Sequence, residues 1–345
     1  MDRWMLFASR WALIMVYLVI LAGSVVRMTG SGMGCPDWPK CFGFLIPPTQ
    51  EEQLMWKANT SYNKGQMILG DDELLVAKEK FTTTEVFSPQ NWRVYDKHDY
   101  TIFNPVHTWI EYINRLLGAL SGIPVLLLFV LATIRIRSDV FTWLLSAGAL
   151  FALGFVAWLG KLVVDGNLIP HSITYHMFGA IALLLLVVAV LFRKSKRRLE
   201  LQIKDSRFIG LTSLVMLLTL TQVYLGTNVR EQVDALLIDG LRNEVTANLD
   251  AVFLIHRSFS ILILLAYIWM LRKMMEAGLP RNWVVVIVAL LGVEIFAGVI
   301  LNYAGFPAFA QPVHLLAALM LVGALFYLWL HVLAQTKTPR PSLSV

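Results

Sequence analysis

The sequence predicts an all-α polytopic membrane protein: eight transmembrane helices in two tandem four-helix bundles, with a long outer loop between helices 1 and 2. Three observations predict it. Of 345 residues, 57% are hydrophobic and 15% charged, against about 45–50% and about 25% in a soluble domain. Eight apolar stretches reach the roughly 20 residues that a spanning helix needs. The second half of the chain then repeats features of the first in the same order. This composition excludes a soluble single-core enzyme and a disordered chain, and two cysteines are too few for a disulfide scaffold. The net charge of +6 does not indicate nucleic acid, because Lys and Arg sit in short clusters between apolar runs, as topology signals do.

In chain order the stretches are 9–28, 107–134, 140–164, 170–192, 208–227, 250–271, 282–303 and 311–334. The first runs into Arg27 and a glycine-rich turn without a small-residue cleavage site, so it is expected to remain a span. Arg135 and Arg137 follow the second span. Arg193, Lys194, Lys196, Arg197 and Arg198 follow the fourth, and Arg272, Lys273 and Arg281 the sixth. Arg3 and Arg10 lie near one end, and Lys337 and Arg340 near the other. The positive-inside rule puts these clusters and both termini in the cytoplasm, in a bacterial-type plasma membrane. The outer loop, about 29–106, has ten acidic and seven basic residues and therefore no inward bias. It is too long to be structureless. Pro47-Pro48-Thr49 with Glu52 reads as a capping box opening a helix near 50–65. The polar and aromatic run from Tyr95 to Asn104 feeds the second span.

The repeat is the most informative pattern. Gly23-Ser24-Val25-Val26-Arg27 matches Gly226-Thr227-Asn228-Val229-Arg230, and Asn114-Arg115 matches His256-Arg257. Gly160 precedes His176 by 16 positions, as Gly298 precedes His314. The predicted units are therefore 1–205 and 206–345, of the same topology, since four spans return the chain to its starting side.

Seven histidines occur: His98, His107, His171, His176, His256, His314 and His331. His331 reads as an interfacial residue at the inner end of the last span. His176, His256 and His314 lie three to six residues inside the outer ends of spans 4, 6 and 8, roughly 5–9 Å deep at about 1.5 Å per residue. A single buried histidine could simply bond a neighbouring helix. Repeat-related histidines at one level favour a metal reading, and His256 with His314 is what bis-imidazole haem ligation needs. Zinc is disfavoured, because no third or fourth Cys or His stands nearby in the spans.

The first unit departs from this symmetry, with Asn114 where the second has His256. One turn outward of Asn114 is Glu111, whose repeat partner is the uncharged Phe253. An intramembrane acid is a functional candidate, and the plainer alternative is an internal ion pair with Arg115. Glu294, midway along the seventh span, has either a structural or a proton-handling role. Arg27, Arg115, Arg230 and Arg257 occur in matched pairs at the outer ends of spans, where arginine binds carboxylates such as haem propionates or anchors the interface. Cys35 and Cys41 share a short proline-held loop on the oxidising face, where a disulfide can close, with a structural or a redox role.

The run Met28-Thr29-Gly30-Ser31-Gly32-Met33-Gly34-Cys35-Pro36-Asp37-Trp38-Pro39-Lys40-Cys41, followed by Thr108-Trp109-Ile110-Glu111-Tyr112-Ile113-Asn114-Arg115, resembles the haem A synthase family. The eight-span duplicated layout fits the same family over nearly the whole chain. The resemblance implies oxidation of the C8 methyl of haem O to a formyl group by successive hydroxylations, with oxygen derived from water. It implies a haem b cofactor on His256 and His314, and the matched Arg230 and Arg257 are the cations expected beside it. It implies a substrate haem in the first unit, near His176, Asn114, Arg115 and Arg27, with Glu111 as the catalytic carboxylate. It also implies pairing of Cys35 with Cys41. Implied partners are haem O, haem O synthase, cytochrome oxidase assembly factors, membrane lipid and a second copy of the chain in a homo-oligomer; nucleic acid is not among them. One residue departs from the family motif: Asn114 stands where the family carries a histidine. Either His107, two turns earlier on the same face, substitutes for it, or the substrate iron keeps His176 as its one axial ligand. The rival reading is a b-type cytochrome passing electrons between quinol and an outer acceptor.

Overall fold

The computed structural model describes residues 1–70, 73–96, 103–165, 172–197, 199–202, 207–238, 245 and 247–336. His98, His171, Arg198, Lys337, Arg340 and residues 97–102 of the Tyr95–Asn104 run lie outside the described residues. Among the described residues there are eight long helices: α1 (Asp2–Met28), α2 (Pro105–Ile134), α3 (Val140–Asp165), α4 (Ser172–Lys194), α5 (Arg207–Ile238), α6 (Ala251–Glu276), α7 (Arg281–Tyr303) and α8 (Ala310–Thr336). Each is long and apolar enough to cross a membrane, and a helix satisfies its own backbone in lipid. This is an integral, multi-pass, all-α membrane protein.

Local chemistry accounts for the helix ends. Asp250 caps α6 by accepting the Val252 N–H at 2.8 Å. The helix stops where Gly278 adopts a φ of 88°, a left-handed conformation that costs glycine little. The Leu279 N–H then returns to the Met274 carbonyl, and Pro280 opens α7. The expected fifth span ended at 227, but α5 continues to Ile238. The reason is a stripe of Val229, Val233 and Leu236 that packs with Val245, Leu249, Val252 and Phe306, giving the extension an apolar face to bury.

The chain divides into two compact units. One comprises Met1–Leu21, Ser121–Val156 and Pro170–Val345, and the other Ala22–Leu120 and Ala157–Ile169. In the first unit, Ala12, Val16, Ile20, Val125, Ala149, Leu184, Val187, Leu319 and Val322 form one core. A second core joins α5, α6, α7 and α8 through Val215, Tyr267, Met270, Ile287, Leu325 and Leu328.

The helix ends that carry the basic clusters are tied by ions. Asp139, at the start of α3, accepts Arg193 at 2.7 Å, Lys194 at 2.7 Å and the Thr142 hydroxyl at 2.6 Å. Burial alone would raise its carboxyl, but these bonds hold it well below the usual carboxylate range. A depressed folded-state pKa adds stability that is present above the ordinary value, roughly pH 4, and is lost as pH falls through the folded value. Asp139→Asn is therefore expected to lower stability at neutral pH by about 1–2 kcal/mol, an exposed-pair figure raised by charged hydrogen bonds. The deficit should shrink on acidification, and thermal unfolding in detergent across that range checks it.

The second unit contains the outer loop, which is a small β-rich domain. Strands β1 (Ser61–Tyr62) and β4 (Phe81–Thr82) pair antiparallel, and β2 (Met67–Leu69), β3 (Leu74–Ala77) and β5 (Trp92–Val94) form a sheet in the order β2-β3-β5. Phe42, Leu54, Met67, Leu74, Val76 and Phe103 bury one side. Tyr62, Ile68, Ala77 and Trp92 bury another. The helix expected near 50–65 is absent. A capping box does form, but Gln53 is its acidic-position partner, accepting the Thr49 and Gln50 N–H groups at 2.7 and 3.3 Å. It opens only a 3₁₀ turn, Glu51–Gln53. The Leu54 carbonyl, which would continue a helix, is instead taken by the Leu69 N–H of β2, and Asn59 has a φ of 51°.

Candidate functional site

The site begins with two helix starts. His256 is the sixth residue of α6, and His314 is the fifth of α8, with Pro312 in the first turn where a missing N–H is harmless. Equal depth from helix N-termini puts both rings at one level. Their centroids are 6.4 Å apart and their planes cross at 83°. Two metal–imidazole bonds of about 2 Å each, with about 1 Å from nitrogen to ring centre, need about 6 Å between centres. The separation of the two ring centres therefore matches that of two imidazoles sharing one metal ion.

Glycines set this spacing. A Cβ on Gly226 of α5 would lie 3.2 Å from Cε1 of His256, and one on Gly298 of α7 would lie 3.4 Å from Cε1 of His314. Each ring is thus seated against the bare backbone of the preceding helix. His314 Nδ1 lies 3.0 Å from the Glu294 carbonyl oxygen. A carbonyl only accepts, so Nδ1 carries the proton and Nε2 of the neutral ring keeps its lone pair for a metal. Gln222 donates to the His256 carbonyl at 3.0 Å, and His256 Nδ1 is buried without a hydrogen-bond partner. Among the described residues no group of three or more His, Cys, Asp or Glu side chains could hold a metal ion. The two histidines suit a metal whose remaining donors come from a macrocycle.

Arg230 is ion-paired with Asp234 at 2.7 Å and also contacts Gln311, one turn before His314. Arg257 is exposed, with its guanidinium 5.8 Å from the Phe253 ring centre. His331, on α8, is buried and accepts the Leu199 N–H at 3.2 Å, so it holds the connection after α4.

In the other unit, Glu111, Arg115, Cys35 and Cys41 come together. Cys35 and Cys41 form a disulfide, with Cα atoms 4.8 Å apart and both residues buried. Glu111 is only 3% exposed. Its Oε2 accepts the Cys35 N–H at 2.8 Å, and its Oε1 pairs with Arg115 at 2.5 Å. Arg115 also donates to the carbonyls of Asp37 at 2.6 Å, Lys40 at 3.0 Å and Cys35 at 3.2 Å. The ion pair and the disulfide loop are one assembly. Gly34 is required for it, since a Cβ there would lie 2.5 Å from the His107 carbonyl oxygen at the start of α2. Asp37, a residue not singled out from sequence, takes the Gly43 N–H at 2.9 Å. Burial pushes its carboxyl up, against the pull of that bond and of Arg115.

Asn114 lies against Gly23, whose Cβ would be 3.7 Å from Oδ1, and that oxygen is buried without a hydrogen-bond partner. Gly23 and Gly226 are repeat partners, as are Asn114 and His256, so the same seat recurs with an amide in place of the imidazole. His107 is half-buried in the first turn of α2, where Asn104 caps its N–H at 3.2 Å. Arg27 is half-buried near the end of α1, and His176 is half-buried in the first turns of α4.

Fold and site together define a class: an eight-helix integral membrane protein with a facing histidine pair suited to a macrocyclic metal. Within that class the chain belongs to the COX15-CtaA family, described as cytochrome oxidase assembly protein, whose model matches residues 3–87 and 71–326. Among its relatives is a protein of Shewanella oneidensis, 24% identical over 220 residues, covering 63% of this chain and 54% of the relative. A relative from Wolbachia pipientis wMel is 21% identical over 355 residues, covering 94% and 92%. One from Nitrosomonas eutropha is 28% identical over 188 residues, covering 53% and 45%. Each of these relatives is named Heme A synthase. The chain spans about half the length of the Shewanella and Nitrosomonas relatives it matches.

Proposed function

We propose that this protein is a haem A synthase, which oxidises the C8 methyl of haem O to a formyl group through successive hydroxylations with oxygen from water. The observation that carries the reading is the facing pair of His256 and His314, with centroids 6.4 Å apart. In this reading they hold a haem b cofactor, which when bound supplies reversible one-electron chemistry. Arg230, near His314 through Gln311, and Arg257 are the cations proposed for the haem propionates.

The haem O substrate is assigned to the first repeat unit, 1–205, and the cofactor to the second, 206–345. His176 is assigned as a substrate ligand because it is the repeat partner of His314. Asn114, on the seat that matches His256, offers an amide in place of an imidazole, and His107 is the alternative donor. Arg27 and Arg115 complete the proposed substrate set. Oxidising a methyl group with a water oxygen releases protons and electrons in equal number, so the reaction needs an external one-electron acceptor for the electrons and a proton acceptor beside the substrate, and Glu111 is the carboxylate assigned to the protons. Both termini are proposed to face the cytoplasm of a bacterial-type plasma membrane, by the positive-inside rule. Haem O synthase, cytochrome oxidase assembly factors and a second copy of this chain are the proposed protein partners.

One observation favours a second reading, the b-type cytochrome that carries electrons between quinol and an outer acceptor: both Glu111 oxygens are engaged in holding the cysteine loop. Haem composition separates the two. Membranes containing this protein and supplied with haem O should yield haem A on extraction and chromatography. Haem O recovered unchanged beside a normal bound-haem spectrum would leave the electron carrier.

A further inference from the structure

From this geometry we infer that Glu294 is a positioning residue for His314: its side chain and its own carbonyl together hold the ring by Nδ1, fix the tautomer and set the electron affinity of the metal on the other nitrogen. The inference rests on the proposed haem site at His256 and His314 and goes beyond it. His314 Nδ1 lies 3.0 Å from the Glu294 carbonyl and 3.2 Å from its carboxylate Oε1. Both acceptors come from one residue on α7, one turn before Gly298. Gly298 makes the approach feasible, because its missing side chain lets the ring settle against the helix at the carbonyl of the preceding turn. The other carboxylate oxygen, Oε2, is buried without a hydrogen-bond partner.

Two comparisons within the molecule argue that this is a device of one site only. His256, the opposite ligand of the pair, has its Nδ1 buried and unbonded, so only one of the two rings is polarised. In the repeat, the position matching Glu294 is Val156, four residues before Gly160 as Glu294 is four before Gly298. The sequence position that corresponds to Glu294 in the first repeat is therefore apolar. A carboxylate acceptor on the distal N–H of a ligating histidine makes the ring a stronger donor and favours the more positive metal. The device stabilises the ferric state at the His256–His314 site.

The test is a redox titration of purified, haem-loaded protein. Glu294→Gln keeps the size and an acceptor and removes the negative charge. It should retain a low-spin haem with the ferric–ferrous equilibrium shifted at least about tenfold toward ferrous, about 59 mV for a one-electron couple. A shorter pair, Glu294→Asp against Glu294→Asn, repeats the comparison with charge as the one difference, and the aspartate variant should have the lower potential. Haem lost by both amide variants would overturn the expected shift in potential and leave Glu294 as a structural support of the site. Equal potentials within either pair would overturn it while leaving the haem site standing. Wild-type protein without a bis-histidine haem would overturn the site itself, and the role of Glu294 with it.

Discussion

Alanine at His256 or at His314 is expected to abolish the low-spin haem spectrum of the purified protein, with haem content falling at least about tenfold, about 1.4 kcal/mol of binding. Each substitution removes one of the two proposed ligands, and among the described residues no third His, Cys, Asp or Glu completes a metal set there. The helix backbones facing the two rings are at Gly226 and Gly298, which have no side chain to offer. The side chains next in reach, Gln222 and Glu294, are already committed to the His256 carbonyl and to His314 Nδ1. His176→Ala is the comparator, since it belongs to the proposed substrate set and should leave this spectrum unchanged. Optical and electron paramagnetic resonance spectra of the three variants decide the matter. Unchanged low-spin signals in both His256→Ala and His314→Ala would remove the cofactor site from this pair.

What could be read from the sequence follows what governs each feature. Spans are dictated by the solvent: a lipid-exposed segment must be apolar over its whole length, so composition alone locates α1 to α8 within a few residues. The exceptions are α1, which begins at Asp2 and not near 9, and α5, which runs on to Ile238 because the stripe of Val229, Val233 and Leu236 has apolar partners to pack against. The level shared by His256 and His314 was legible for a similar reason, as both positions count from a capped or proline-marked helix start. The outer domain was not. Its strands are two to four residues long and gain their stability from partners far along the chain, such as Leu75 with Val94. A capping motif there opens one turn and stops, since the Leu54 carbonyl has a better partner in β2. Glu111 and Arg115 were visible as a pair at i and i+4, but their bonds to Cys35, Asp37 and Lys40 bridge more than seventy positions. No local pattern encodes such contacts. Glu294 was visible only as an acid in a span, and its meaning required the facing helix.

Glu111→Gln is expected to lower haem A output by at least about 100-fold, the usual scale of a lost proton acceptor, while the low-spin haem at His256 and His314 stays in place. The two sites draw on different helices, so the α5–α8 core has no part in the lesion. Glutamine keeps the chain length and one oxygen, enough to go on accepting the Cys35 N–H that Oε2 now takes. What it loses is the charge that answers Arg115. Breaking one side of a buried ion pair costs about 3–5 kcal/mol, but Arg115 retains three carbonyl acceptors in the loop, from Asp37, Lys40 and Cys35. The loop should therefore stay docked with a modest fall in melting temperature. Arg115→Ala makes the opposite cut: it keeps the carboxylate and removes the clamp. It should reduce haem A output less than Glu111→Gln does and expose the Cys35–Cys41 disulfide to a membrane-impermeant reductant more. That crossing of effects separates proton acceptance from loop anchoring, because a purely anchoring Glu111 would make both variants lose activity in proportion to disulfide exposure. The measurements are haem chromatography, the bound-haem spectrum and thiol labelling after brief reduction. Normal haem A output from Glu111→Gln would refute the catalytic assignment and leave the carboxylate as the structural anchor of the cysteine loop.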